Sequence, residues 1–148
     1  MVKWYTQRIQ NSIFAGSNPV KSKKKMIQMQ TQLKTADNSG AKTVQCIKTL
    51  LGFNRTIAFC GDFILISIKK LRLIRKVKVG EIHLGVISRT KKETKFLDGS
   101  LSKFNSNSLI VVNKKKRVLG TRLFGWLSRN LRKKKFLRIL ILCGYCLI

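Results

Sequence analysis

The side chains that could carry acid–base chemistry are few: Asp37, Asp62, Glu81, Glu93, Asp98 and His83. General acid–base catalysis needs such groups converging on one reacting atom, and no spacing here pairs them. Asp37, Asp62 and Asp98 each stand in a turn-forming run, where an aspartate bonds nearby backbone. His83 falls in an alternating apolar stretch, as a packed or surface histidine does. Neither a G-x-x-x-x-G-K nor a G-x-G-x-x-G run is present to cradle phosphates. Zinc would have to join the C-x-x-C pair Cys143 and Cys146 to Cys46 and Cys60, at unrelated spacing. The four cysteines read as free thiols of a reducing compartment. No catalytic residue, metal ligand or cofactor is expected, and the chain does not read as an enzyme.

The basic residues carry more. Against 5 Asp and Glu the 148-residue chain sets 32 Lys and Arg, a formal charge of +27. Self-repulsion on that scale opposes a compact state unless a polyanion neutralises it. Yet 44% of the residues are hydrophobic, too many for a disordered basic tail. The cations gather in Lys21–Lys25, Lys69–Lys78, Arg89–Lys92, Lys114–Arg117 and Arg129–Lys135. These clusters are separated in sequence, so only folding unites them. That suits a rigid body wedged among folded RNA helices, its Lys and Arg side chains set against phosphates. The basic–Gly–aromatic signature of an RRM is missing, and Phe63, Phe96, Phe104, Phe124 and Phe136 read as packing residues. The alternative of another class is a free-standing, sequence-indifferent nucleic-acid-binding protein. Membrane insertion is not expected. The longest apolar stretch is Ile139–Ile148, and a spanning helix needs about twice that length. That stretch reads as a short buried strand or tail.

The elements that must position these clusters are mainly strands. Met29, Thr31 and Leu33 alternate with polar neighbours, and Val44–Leu50 forms a second strand. Gly61-Asp62 turns into Phe63–Ile68, an apolar interior strand. Lys69–Gly80 suits a projecting ribbon or basic loop. Ile82, Leu84 and Val86 alternate again, Asp98-Gly99 marks a hairpin, and Leu109–Val112 is one more strand. Many short strands with regular turns predict a small closed barrel. Leu123, Leu127 and Leu131 lie four apart and predict a helical apolar face, with Arg129, Arg132 and Lys133 on its other side.

The order of motifs is that of a known family. Ala36-Asp37-Asn38-Ser39-Gly40-Ala41, Arg89-Thr90-Lys91-Lys92, Asp98-Gly99-Ser100 and Gly120-Thr121-Arg122-Leu123-Phe124-Gly125 follow one another in sequence. From Met26 to about Leu142 the chain resembles the universal large-subunit ribosomal protein number fourteen, in its bacterial or organellar form. The resemblance implies a mainly β fold: a small five-stranded β-barrel with a projecting β-ribbon and short C-terminal helices. It implies a structural constituent at the subunit interface, bound to large-subunit rRNA beside ribosomal proteins three and nineteen. A bridge to small-subunit rRNA and a docking ribosome-silencing factor are implied on the same face, near Thr121, Arg122 and Lys135. The RNA-facing set expected from motif and charge is Lys42, Lys76, Lys78, Arg89, Thr90, Lys91, Lys92, Arg122, Arg129, Arg132 and Lys133. The chain departs from the family where Trp126 replaces a proline after Phe124-Gly125, where Asn130 replaces an acid, and in the ribbon turn at Leu71–Arg75.

Residues 1–25 hold Lys3, Arg8, Lys21, Lys23, Lys24 and Lys25 and no acid, like an organelle transit peptide. They read as a retained basic extension preceding a barrel domain at 26–148. Abundant lysine, isoleucine and asparagine with scarce alanine match the bias of AT-rich organellar genomes. A mitochondrial ribosome is therefore expected ahead of a plastid or a bacterial cytoplasm.

Overall fold

The computed structural model describes residues 26–50, 52–53, 55–73, 76–96, 98–133 and 136–144, with the Lys133 side chain outside that description. Expectations for the 1–25 extension, Lys135 and Cys146 lie outside the described residues.

Five strands close a barrel in the order β1 (Gln32–Thr35), β2 (Ala41–Thr49), β3 (Phe63–Leu71), β4 (Ile82–Arg89) and β7 (Ser108–Val112). Neighbours are antiparallel except at the seam, where β1 runs parallel to β7 with Lys34 opposite Ser108 and Thr35 opposite Leu109. Register shifts in β2 between Ala41 and Val44, and again between Cys46 and Lys48, bend that strand around the barrel. A second sheet, β5 (Thr94–Lys95) with β6 (Leu101–Ser102), forms the projecting hairpin. Two short helices follow, α1 (Asn130–Lys133) and α2 (Leu137–Cys143).

Period-two alternation sorts the apolar side chains into two cores. Leu33, Val44, Cys46, Ile64, Ile66, Ile68, Ile87, Leu109 and Val111 fill the barrel. Val86, Ile110 and Val112 point outward from the same strands into a second cluster with Leu123, Leu127, Leu131, Ile139 and Cys143. Strand β7 is consequently buried along its whole length. Burial pushes the Cys46 thiol up, which leaves it a packing group and not a nucleophile.

Three details differ from the expectations and one narrows them. Met29 is half exposed in a turn, because Gln30 adopts a positive φ of 64° and β1 starts only at Gln32. Of the Lys69–Gly80 stretch, residues 69–71 extend β3, and the described residues 72–73 and 76–80 take the basic-loop alternative: the Arg72 N–H donates to the Gly40 carbonyl and the Lys76 N–H to that of Ser39, against the barrel end. The ribbon is β5–β6, at the expected Asp98-Gly99 turn. Leu123 and Leu127 are not helical, although both are buried with Leu131. The Arg122 carbonyl accepts from Asn38 and the Phe124 N–H donates to Ala36, so this segment is held extended alongside the 36–38 turn. The apolar run expected as a strand or tail is instead helix α2 through Cys143, which buries Ile139 and Cys143 four residues apart. No helix among the described residues is long and apolar enough to cross a membrane.

Candidate nucleic-acid interface

The turn at Asp37–Gly40 organises one end of the barrel. Asp37 is fully buried; its Oδ1 accepts from Ser39 Oγ at 2.8 Å and its Oδ2 from the Val111 N–H at 2.8 Å. Burial nevertheless holds the Asp37 carboxyl above its ordinary range, outweighing those hydrogen bonds. Gly120 lies directly against this turn: a Cβ there would sit 2.9 Å from Asp37 Cβ and 3.1 Å from the Asn38 nitrogen. The glycine thus lets the 120–124 segment approach closely enough for Leu123 to bridge Asp37.

Three chain segments meet at this turn through the backbone bonds of Gly40, Ser39 and Asn38 with Arg72, Lys76 and Arg122. Together with the start of β2 they carry four exposed cations: Lys42, Arg72, Lys76 and Arg122. Among the described residues none of these four pairs with a carboxylate. Thr121 is exposed beside Arg122. Arg72 also lies 5.9 Å from the ring centroid of half-exposed Phe124, a cation–π contact. In the sequence Arg72 is one member of an undivided basic run, and nothing there singles it out. Its stacking on Phe124 depends on two segments meeting.

A second basic surface surrounds the hairpin. Lys91 is exposed and its N–H donates to Asn107 Oδ1 at 2.7 Å; Lys92 is half-buried nearby. Thr90, expected to face RNA, is turned inward and 3% exposed. Its hydroxyl donates to the Lys92 carbonyl at 3.1 Å and lies 3.3 Å from Thr94 Oγ1, so it shapes the turn that presents the lysines. Arg89 is likewise engaged with the protein. Its Nη2 donates to the Phe124 carbonyl at 2.5 Å, and burial pushes its pKa down. Gly125, at φ 75°, makes room: a Cβ there would stand 2.7 Å from Arg89 Nη1. Arg129 pairs with Asp98 at 2.8 Å. Ser100, foremost, and Arg129 hold that carboxylate below its ordinary range. Arg132 is exposed on α1.

Lys78 lies at the far side of the 72–80 loop, where its N–H donates to Glu81 Oε2 at 3.1 Å. His83 Nε2 lies 3.0 Å from the same oxygen, and this contact chiefly holds Glu81 below its ordinary range. Asp62 caps its own turn by accepting from the Phe59 N–H at 2.8 Å. The three aspartates expected in turns are thus bound to backbone or seryl groups.

The described residues thus form a mainly β protein: a closed five-stranded barrel with a cationic end, a basic hairpin and short C-terminal helices. The chain belongs to the ribosomal protein L14p/L23e family, whose model matches residues 26–147. That family comprises structural proteins of the large ribosomal subunit and is not a family of enzymes.

Proposed function

We propose that this large-subunit ribosomal protein binds large-subunit rRNA through its cationic barrel end and its basic hairpin, at the face turned to the small subunit. The observation that carries this is the convergence of Lys42, Arg72, Lys76 and Arg122 at one end of the barrel, each exposed and none paired with a carboxylate among the described residues. Exposed cations of this kind release counterions when they meet phosphate, the main source of affinity for folded RNA. Lys91, Lys92, Arg129 and Arg132 extend the contact along the hairpin and α1. Lys78 and Lys133 belong to the same reading by sequence. Thr121, Arg122 and Lys135 form the surface for a bridge to small-subunit rRNA and for a silencing factor. Ribosomal proteins three and nineteen are the expected neighbours, and a mitochondrial ribosome the expected location.

The test is a tagged chain carried through a density gradient with intact ribosomes, followed by sequencing of the RNA in its peak. Near-equal stoichiometry with one large-subunit rRNA supports the reading and names the compartment. A broad profile over mixed RNA or DNA overturns it in favour of a free-standing nucleic-acid-binding protein. Reversing Arg72, Lys76 and Arg122 together should empty the large-subunit peak; normal occupancy would exclude this end as the contact surface.

A further inference from the structure

A groove of about 480 Å³ separates the outer face of the barrel from α2. Phe63, Val86 and Val112 line the barrel side, and Phe136, Leu137 and Ile139 the helix side. Phe136 meets Phe63 edge to face, with centroids 5.4 Å apart at 66°, which seats the helix on the barrel. Lys116, Arg117 and Arg138 stand among the lining residues, and no acid does among the described residues. The Lys116 ammonium lies 5.6 Å from the Phe63 centroid, so positive charge sits directly beside the aromatic floor. Leu137 and Ile141 are 62% and 80% exposed. A helix covering a core ordinarily turns polar residues to water; α2 presents large aliphatic ones.

We propose that this groove docks an acidic, amphipathic segment of a neighbouring protein. Its leucine or phenylalanine side chains enter the apolar groove, and its carboxylates meet Lys116, Arg117 and Arg138. The lining chemistry selects this occupant. An unpaired nucleobase inserted between Val86, Val112, Leu137 and Ile139 would leave its polar edges without partners there, at a desolvation cost. A second copy of this chain would bring +27 against +27. An acidic segment with an apolar stripe satisfies both the rim and the floor. This surface stands independently of which rRNA the barrel end contacts.

The first test uses the full chain and a fluorescein-labelled, glutamate-rich helical peptide with leucines at i, i+3, i+4 and i+7. A scrambled peptide of identical composition controls for bulk charge. The amphipathic peptide should bind about tenfold tighter than the scrambled one. The exposed double substitution Leu137→Ser with Arg138→Glu should remove that preference while binding to an rRNA fragment is kept. Equal binding of both peptides, or a preference that survives the double substitution, overturns the proposal. The second test places a photoreactive benzoylphenylalanine at position 137 and irradiates purified large subunits. Adducts whose sequenced peptide is acidic and amphipathic support the proposal. Adducts on rRNA, adducts on a second copy, or no adduct overturn it. Failure here with intact gradient co-migration would leave the rRNA-binding function standing.

Discussion

The Val111 N–H donates to Asp37 Oδ2 at 2.8 Å across 74 residues of sequence. The bond ties the turn after β1 to the C-terminal part of β7, the strand whose start pairs with β1 at the parallel seam that closes the barrel. Through Ser39, Gly40 and Asn38 the same turn also gathers the loop of Arg72 and Lys76 and the segment of Arg122. One buried carboxylate therefore supports both the barrel closure and its cationic end.

Replacing Asp37 with alanine leaves the buried Val111 N–H without its partner, at a cost of about 1–3 kcal/mol. Chemical unfolding in urea at neutral pH measures it. An unchanged midpoint would mean that the turn holds without its carboxylate.

Stability should also depend on pH through this group. Its carboxyl in the folded chain lies above the ordinary 3.8, with burial the main cause. A native state that holds a proton more tightly than the unfolded chain is favoured fully below 3.8. It loses that advantage as pH rises through the folded value. The stability of the wild type relative to Asp37→Asn should therefore fall with rising pH across this window and level off above it. Urea titrations over the acidic range check the sign; a relative stability that climbs with pH would contradict it.

Gly120→Ala forces a methyl group to 2.9 Å from Asp37 Cβ and 3.1 Å from backbone. Neither neighbour is the free end of a flexible side chain, so overpacking should cost about 1–3 kcal/mol. Thermal melting reads the loss. Weaker rRNA binding should accompany it, because the displaced segment carries Arg122.

Arg89 and Lys91 should separate folding from binding. Arg89→Ala removes the bond to the Phe124 carbonyl and lowers stability by about 1–3 kcal/mol. Lys91→Ala should leave the melt unchanged and reduce the slope of log affinity against log salt by about 1. A salt slope unaffected by Lys91→Ala would remove that lysine from the interface.

The leucines near the C-terminus divide by environment. Leu127 is fully buried in the second core, and Leu127→Ala should cost about 2–5 kcal/mol. Leu137, 62% exposed, should tolerate alanine with little change. Comparable losses at both would mean that α2 packs more deeply than its exposure indicates.

Much of this is legible along the chain. Alternation and apolar runs in residues 63–68 and 109–112 mark two barrel strands, and Asp98-Gly99 places the hairpin, since strand period and turn chemistry are local properties. Leu123, Leu127 and Leu131 are buried as their spacing predicts, but the first two are not helical. A four-residue spacing is also met by an extended segment pinned by Asn38 and Ala36, and spacing alone does not distinguish the two.

Composition and motif order by themselves determined the strongly basic character, the barrel class and the family. Net charge and period-two patterning are sums over the sequence, and the ordered motifs are read directly from it. Only the tertiary structure decided which cations share a surface. Arg72, Lys76 and Arg122 meet because backbone bonds from one turn join segments far apart in sequence. Thr90 is turned inward and the half-buried Arg89 is anchored to the Phe124 carbonyl, because both side chains find partners on the protein. The parallel β1–β7 seam has the same origin: pairing between distant strands is chosen by the closing of the whole barrel, and no local pattern encodes it.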